Sequence, residues 1–105
     1  MSDDELHEYL GQMFEWDRMK AARNAIKHNV RFTEAASVFF DENAILELDP
    51  DHSEEEQRFD VLGYSIRQHI LLVVHVIRSE RIRIISARVA TISERRRYDE
   101  ERRRF

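Results

Sequence analysis

The sequence predicts a small single-domain α+β protein, in which a mainly antiparallel sheet of four to five strands packs against two N-terminal helices and one C-terminal helix. Segments rich in valine and isoleucine follow one another in the second half of the chain with short connections, which favours antiparallel pairing. Helix-favouring segments lie towards the two ends, and this segregation is typical of α+β proteins. A chain of 105 residues is large enough for one hydrophobic core.

Residues 69–90 predict the hairpin around which the sheet is organised. Residues 70–77 are apolar except for His75, and their β-branched side chains favour a strand that is covered on both faces. We interpret His75 as a packed sheet histidine. The following strand begins by alternating arginine with isoleucine, which puts Arg81 and Arg83 on one face and the isoleucines on the other. The sheet therefore presents arginines beside a hydrophobic core.

The N-terminal segment 1–12 is predicted to be an extension of the domain at residues 13–105. Its acidic start fits a capping box and a short amphipathic helix, and a partly helical tail is an equal alternative. Residues 13–17 are a possible edge strand. Asp17 is then predicted to cap a helix over residues 18–28.

This first helix gathers basic and polar side chains and is predicted to end at Asn29. Its core-facing stripe is predicted to consist of Met19, Ala22 and Ile26. Spacings of three and four residues bring together a second set, Lys20, Arg23, Asn24, Lys27 and His28. The cations beside His28 favour its neutral form, which can act as a base, although an ordinary helix-end histidine is the simpler interpretation.

The remaining elements complete the predicted order. Thr33 is expected to cap a short second helix, and residues 44–48 and 59–66 are predicted strands. Gly63 marks either a bulge or a close approach within the second of them. The C-terminal helix, residues 92–105, opens with a capping-box sequence and ends in an arginine-rich segment. Two interpretations of the arginine-rich segment are possible: a solvated helix face, or a contact with nucleic acid.

The charge distribution is asymmetric although the formal net charge is only −4. Residues 1–60 carry 16 acidic and 6 basic side chains, whereas residues 61–105 carry 5 acidic side chains and 11 arginines. Arginine binds phosphate or carboxylate through two parallel hydrogen bonds, so the basic part fits RNA or an acidic partner, unless it only neutralises the acidic part. There is no cysteine, signal peptide or membrane-spanning apolar run, so we expect a cytoplasmic protein without a membrane partner.

No common catalytic motif is present, such as a glycine-rich phosphate loop or a serine elbow. The acidic loop around His52 could hold a divalent cation, although a solvated loop is the ordinary explanation, and we predict neither a metal nor another cofactor. Cleaving RNA without a metal needs a base for the 2′-hydroxyl, cations for the phosphate and an acid for the leaving oxygen. The side chains able to fill these roles are Lys20, Lys27, His28, Arg81, Arg83, Arg88 and Tyr98.

Two sets of motifs, in order and at compatible spacing, cover residues 13–100. The first set is Phe14-Glu15-Trp16-Asp17, Lys20, Asn24, Lys27-His28, Val30, Phe32, Glu34-Ala35-Ala36, Val38-Phe39 and Asp41. The second set is Asp51-His52, Glu56, Arg58, Gly63-Tyr64-Ser65, Leu72-Val73-Val74, Ile82-Arg83-Ile84-Ile85-Ser86-Ala87-Arg88, Ala90, Glu94-Arg95 and Tyr98. Together they resemble the BrnT family of ribonuclease toxins from type II toxin–antitoxin systems, a family related in fold to RelE-like toxins.

The resemblance implies a small α+β ribonuclease of RelE-like fold that inhibits translation by cutting RNA without a metal. It also implies a cognate antitoxin, usually a ribbon-helix-helix protein, through which the pair contacts operator DNA; a dimer or a hetero-oligomer with the antitoxin is compatible with this. The expected catalytic residues are Lys20, Lys27, His28, Arg83 and Arg88, and the expected RNA-binding residues are Arg81 and Tyr98. The alternative is a non-catalytic binding module, such as a degenerate toxin that acts only within an antitoxin or co-repressor complex.

Overall fold

The structure is a computed structural model that describes residues 3–50 and 56–104. In these ranges the strands are β1 (Asp4–Tyr9), β2 (Gln12–Asp17), β3 (Ile45–Leu48), β4 (Phe59–Tyr64), β5 (Ile70–Arg78) and β6 (Arg81–Val89). The helices are α1 (Arg18–His28), α2 (Phe32–Ser37) and α3 (Ile92–Arg103), and a 3₁₀ turn spans Val38–Phe40. The predicted α+β class and the three helices are confirmed.

All described strands belong to one sheet with the order β1-β2-β6-β5-β4-β3. Every neighbouring pair is antiparallel except β2 and β6, which are parallel. The prediction of four to five strands was wrong, because the N-terminal segment supplies a sixth. For the same reason β2 is not an edge strand, since it lies between β1 and β6.

The N-terminal segment forms a hairpin with β2, and the helix or helical tail predicted there is wrong. Leu10 and Gly11 have φ angles of 50° and 87°, and a two-residue turn with positive φ matches the twist of the strands that it joins. On β2, the indole of Trp16 donates to Glu5 at 3.1 Å and lies 5.5 Å from the ring of His7. Pairing with β2 satisfies the backbone of a segment that is too short to be a stable helix alone.

The two faces of the sheet differ in their cover. The face that carries Phe14, Val73 and Ile84 is called the front face. On it, the larger core cluster packs under α1, α2 and the 3₁₀ turn. The opposite face, the back face, carries Glu15 and Arg83. On this face α3 contacts mainly β4, around a smaller core cluster. Among the described residues, the main helix contact on the back face is with β4, and α3 reaches β6 only through its first turn, where Glu94 pairs with Arg88.

The helix ends follow the predictions in part. Asp17 caps α1 by accepting a hydrogen bond from a backbone N–H of the first turn, and Asn29 ends the helix in the left-handed conformation, as predicted. The second helix begins at Phe32, so Thr33 lies inside it and the predicted cap was wrong. The predicted capping box of α3 is present.

The core-facing side of α1 differs from the predicted apolar stripe of Met19, Ala22 and Ile26. Met19 is 55% exposed and Ile26 is 87% exposed, whereas the residue that α1 buries is Asn24. The prediction failed because Asn24 has polar backbone partners on the sheet, which periodicity of hydrophobic residues does not reveal.

Gly63 marks a close approach, one of the two alternatives predicted for it. A Cβ atom at this position would lie 3.0 Å from the Asp41 carboxylate and 3.1 Å from both Val38 and Ala44. The 3₁₀ turn can therefore pack directly against β4 only because residue 63 has no side chain.

Two further observations bear on the sequence predictions. Among residues 3–50 and 56–104, no helix is both long and apolar enough to cross a membrane. The middle of the predicted acidic loop, including His52, falls within residues 51–55 and lies outside the described residues. The two ends of the loop, Asp49 and Glu56, are described.

Candidate active site

The junction between β2 and α1 places the helix beside β6. The two strands pair only at Phe14–Ile82 and Glu15–Arg83, after which the chain turns directly into α1. Beyond this point α1 packs along β6 in place of a neighbouring strand. The edge of β6 needs new hydrogen-bond partners there, because buried backbone groups are costly to leave unpaired.

Asn24 closes this edge with its side-chain amide. Its Nδ2 donates to the carbonyl oxygens of Ala87 at 2.8 Å and Val30 at 3.0 Å, and its Oδ1 accepts from the Ala87 N–H at 3.1 Å. The amide thus pairs with both backbone groups of Ala87, as a strand would. These bonds fix the position of α1 on the sheet and, with it, the direction of the side chains around Asn24.

A groove of about 280 Å³ lies between α1 and β6, and we call it the basic groove. It is lined by Lys20, Arg23, Asn24, Lys27, His28, Ile85 and Ser86. The structure therefore brings together Lys20, Lys27 and His28, three of the predicted catalytic residues. The two lysines are exposed and His28 is half-buried.

The remaining predicted arginines lie on the back face because the pairing between β5 and β6 is irregular. The register shifts in the middle of β5, so that Ser86 pairs with Val74 and Arg83 pairs with Val76. Val74 and Val76 point to the same face, and so therefore do Ser86 and Arg83. By the same register, this face also carries Arg81 and Arg88. Ser86 thus belongs both to the basic groove and to the arginine-bearing face.

Arg83 is held by two carboxylates of the N-terminal hairpin. Its Nη1 donates to Glu15 at 2.6 Å and its Nη2 donates to Asp4 at 3.0 Å. The hydrogen bond that Arg83 donates to Asp4, together with the one that it donates to Glu15, raises the pKa of Arg83, so the guanidinium stays charged. Arg81 is half exposed, and its guanidinium lies 3.6 Å from Glu15.

Arg88 connects β6 to the start of α3. Its two terminal nitrogens donate to the two carboxylate oxygens of Glu94, at 2.8 and 3.0 Å. The same carboxylate accepts from the Thr91 backbone, so Glu94 both caps α3 and holds Arg88. The hydrogen bond with Arg88 lowers the pKa of Glu94 and raises that of the guanidinium.

Tyr98, predicted to bind RNA, belongs to α3 and is buried between this helix and the sheet. Its side chain is 1% exposed, its hydroxyl donates to Asp41 at 2.5 Å, and its ring lies 5.6 Å from that of Tyr64. Burial, together with the hydrogen bond to Asp41, raises the pKa of Tyr98. Stacking on an RNA base would require the ring to leave this position.

His75 is a packed histidine, as interpreted from the sequence. It is buried on the front face with its ring 4.7 Å from Phe39 and 6.0 Å from Phe59. Burial lowers the pKa of His75, which keeps the imidazole neutral. It lies among aromatic side chains of the core and does not line the basic groove.

Sequence reasoning gave no role to Glu15 or Arg78, although both organise the back face. Glu15 alternates with the buried Phe14 and Trp16, a pattern that indicates a solvent-facing side chain. Its actual burial comes from arginines of β5 and β6 that fold over it, including Arg78 at 3.9 Å. Parallel pairing of β2 with β6 was the missing information, since it sets Glu15 opposite Arg83.

No group of three or more histidine and carboxylate side chains within residues 3–50 and 56–104 is arranged to hold a metal ion. The acidic segment around His52 is outside these ranges, so the alternative of a cation site there remains a hypothesis.

These features describe a small α+β domain with cationic side chains gathered at one region of its sheet, an arrangement suited to an anionic substrate. The family model described as "Ribonuclease toxin, BrnT, of type II toxin-antitoxin system" matches residues 16–94. The chain therefore belongs to the BrnT family of ribonuclease toxins, as its motifs suggested. Membership of a type II system implies an antitoxin partner.

The fold is also similar to a solved structure. The crystal structure of the Brucella abortus ribonuclease toxin, BrnT, aligns with a TM-score of 0.54 and 24% identity, covering 72% of this chain and 92% of that one. At this identity the likeness concerns the fold. No curated protein sequence matches the chain.

Proposed function

We propose that this protein is an endoribonuclease toxin that cleaves RNA by metal-independent acid–base chemistry and thereby inhibits translation. The observation that carries the proposal is the continuity of the basic groove with the arginine-bearing back face. Ser86 lines the groove and lies on the same face of β6 as Arg83 and Arg88. An RNA strand lying along this part of β6 could therefore meet both groups of cations.

The proposed roles follow from what the reaction requires. A base removes the proton of the 2′-hydroxyl, which attacks the adjacent phosphorus, and an acid protonates the leaving 5′-oxygen. His28, half-buried beside the exposed Lys20 and Lys27, is suited to proton transfer, and the lysines are suited to binding the phosphate. Arg83 and Arg88 would stabilise the additional negative charge of the transition state.

Two predicted RNA contacts have different support. Arg81 is half exposed, which suits a residue that binds the RNA backbone. Tyr98 stays a prediction, because its contact with RNA requires the hydroxyl to leave Asp41.

The direct test is cleavage of a structured RNA by the purified protein, with and without EDTA, on a denaturing gel. We expect cleavage to persist in EDTA and to fall about 100-fold or more in Lys27→Ala and Arg83→Ala, as when a group that stabilises the transition state is removed. Arg96→Ala removes an exposed arginine of α3 and is the matched control, expected to keep full activity. Loss of cleavage in EDTA, or full activity in both site variants with unchanged circular dichroism, would refute the assignment.

The partner and the cellular setting belong to the same proposal. We infer a relation to RelE-like toxins, a domain at residues 13–105 preceded by an extension, and action in the cytoplasm. The antitoxin is proposed to be a ribbon-helix-helix protein that neutralises the toxin, forms a hetero-oligomer with it and makes the contacts with operator DNA. Expression without the antitoxin should stop growth, and co-expression should restore it.

A second candidate function is a non-catalytic binding module within an antitoxin complex. The specific observation in its favour is that Arg83 and Arg88 are both hydrogen-bonded to carboxylates of the chain itself. In that case the arginines stabilise the fold and do not meet a substrate. Such a module would neither cut RNA nor stop growth, even when RNA is supplied together with ribosomes.

A further inference from the structure

Three arginines of the back face surround one buried carboxylate. Glu15 Oε2 lies 2.6 Å from Arg83 and 3.9 Å from Arg78, and Oε1 lies 3.6 Å from Arg81. We call Arg78, Arg81 and Arg83 the arginine cluster. The carboxylate at its centre is only 9% exposed, so it remains in place as a fixed support and its charge offsets one of the three cations.

Two further carboxylates lie on the outside of the arginine cluster. Asp4 accepts from Nη2 of Arg83, and Glu56 accepts from Nε and Nη2 of Arg78, both at 2.8 Å. Unlike Glu15, these two are substantially exposed, with 36% and 39% of their side chains accessible. They come from the beginning of β1 and from the residues that precede β4, both at the periphery of the sheet.

We propose that the arginine cluster is an RNA-backbone site, and that the carboxylates of Asp4 and Glu56 occupy, in the free protein, the positions that phosphate oxygens take when RNA binds. Guanidinium groups bind carboxylate and phosphate with the same two-pronged geometry, so one can replace the other. The proposal rests on the proposed function, since it extends the substrate site from the basic groove along β6. It adds Arg78 to the residues that bind substrate.

Two observations point to a ligand at this place. Within the part of the chain that the structure describes, the carboxylate nearest to the Arg81 guanidinium is that of Glu15, at 3.6 Å. Arg81 is also half exposed, which leaves hydrogen-bond donors available on its guanidinium. A cavity of about 700 Å³ lies beside it, between the turn of the β1–β2 hairpin and the turn of the β5–β6 hairpin. The residues that line this cavity are Gly11, Gln12, Met13, Ser79, Glu80 and Arg81. A cavity of this size has room for a nucleotide.

The occupant favoured here is RNA because the cluster continues the cationic face. Arg81 and Arg83 are on the same face of β6 as Ser86, which lines the basic groove, so one backbone could pass from the cavity to the groove. The exposed carboxylates would then act as competitors that lower the affinity for RNA. Exposed ion pairs are weak, so a polyphosphate chain contacting several cations can displace them.

The test uses an RNA oligomer with 2′-O-methyl riboses, which binds but cannot be cut by attack of the 2′-oxygen. We expect Asp4→Asn and Glu56→Gln each to lower the dissociation constant for this RNA by up to about fivefold, since each removes one exposed carboxylate that competes with phosphate. Arg78→Ala and Arg81→Ala should each raise the dissociation constant by about tenfold and reduce the dependence of binding on salt concentration. Glu42→Gln is the control, because it removes an equal charge from an exposed residue that lines neither this cavity nor the basic groove.

The outcomes separate this proposal from the proposed function. Tighter binding in Asp4→Asn and Glu56→Gln than in Glu42→Gln, without cleavage of ordinary RNA, supports the site while the proposed function fails. Cleavage of ordinary RNA combined with unchanged binding in Arg78→Ala and Arg81→Ala overturns the site while the proposed function stands. If the arginine variants alter affinity for the antitoxin and not for RNA, the cluster is a protein interface and the proposal is wrong.

Discussion

Replacing Asn24 with alanine should destabilise the protein strongly, although the change shortens one side chain on a helix. The substitution removes three hydrogen bonds and leaves the carbonyl and N–H of Ala87 and the carbonyl of Val30 without their partner. At about 1 kcal/mol for each bond, the loss is about 3 kcal/mol, and the better helix propensity of alanine returns about 0.5 kcal/mol. We therefore expect the free energy of unfolding to fall by about 2.5 kcal/mol.

Urea denaturation followed by circular dichroism measures this loss. With a slope of about 1.5 kcal/mol per molar urea, the midpoint should fall by roughly 1.7 M. Ile26→Ala, on the exposed side of the same helix, is the matched control and should change stability by less than about 0.5 kcal/mol. If Asn24→Ala costs less than about 1 kcal/mol, or no more than the control, then apolar packing holds α1 and the argument from the edge of β6 is wrong.

Three other substitutions test separate parts of the fold. Tyr98→Phe should cost about 2 kcal/mol in urea denaturation, because Asp41 loses a charge-assisted hydrogen bond that is partly buried. Gly63→Ala should cost about 1–3 kcal/mol and lower the melting temperature, because its Cβ has no room. His75 should lower the free energy of unfolding as the pH drops below 6.5, by at most about 1.4 kcal/mol per pH unit. The reason is that the unfolded chain binds a proton at this histidine, whereas the buried imidazole, with its lowered pKa, does not bind one. His75→Leu should remove this contribution.

Each of these predictions has an outcome that contradicts it. For Tyr98, the comparison is Tyr64→Phe, because the ring of Tyr64 is partly exposed. Equal losses in both variants would mean that the buried hydroxyl of Tyr98 contributes no more to stability than that of Tyr64. An unchanged melting temperature in Gly63→Ala would mean that the 3₁₀ turn can move away from β4. Identical slopes of stability against pH in the parent and His75→Leu would show that this histidine titrates normally in the folded protein.

The fold was predictable wherever a local pattern had no competitor. The run of β-branched residues specified β5, the arginine–isoleucine alternation specified the start of β6, and capping residues specified the ends of α1 and the start of α3. The N-terminal strand was missed because the spacing of its apolar residues also fits a short helix. What distinguishes the two is pairing with β2, which is a contact between segments and not a property of one.

Of the two parts of the candidate site, the sequence predicted the arrangement of the one that lies on α1. Helical spacing is a local rule, so it correctly grouped Lys20, Lys27 and His28 in the basic groove. The other half depends on the irregular register of β6. Strict alternation would set Arg83 and Arg88 on opposite faces, because they are five positions apart in the sequence. The one-residue shift puts both on the back face.

The sequence by itself determined the α+β class, the family and the cationic residues, because composition, caps and motif spacing are encoded along the chain. Only the tertiary structure decided what those cations touch. The parallel contact of β2 with β6 buries Glu15 among three arginines, and the packing of α1 along the end of β6 gives Asn24 its role. Both depend on segments that are 68 and 63 residues apart in the chain, and these segments meet because of the packing of the whole sheet rather than any local preference.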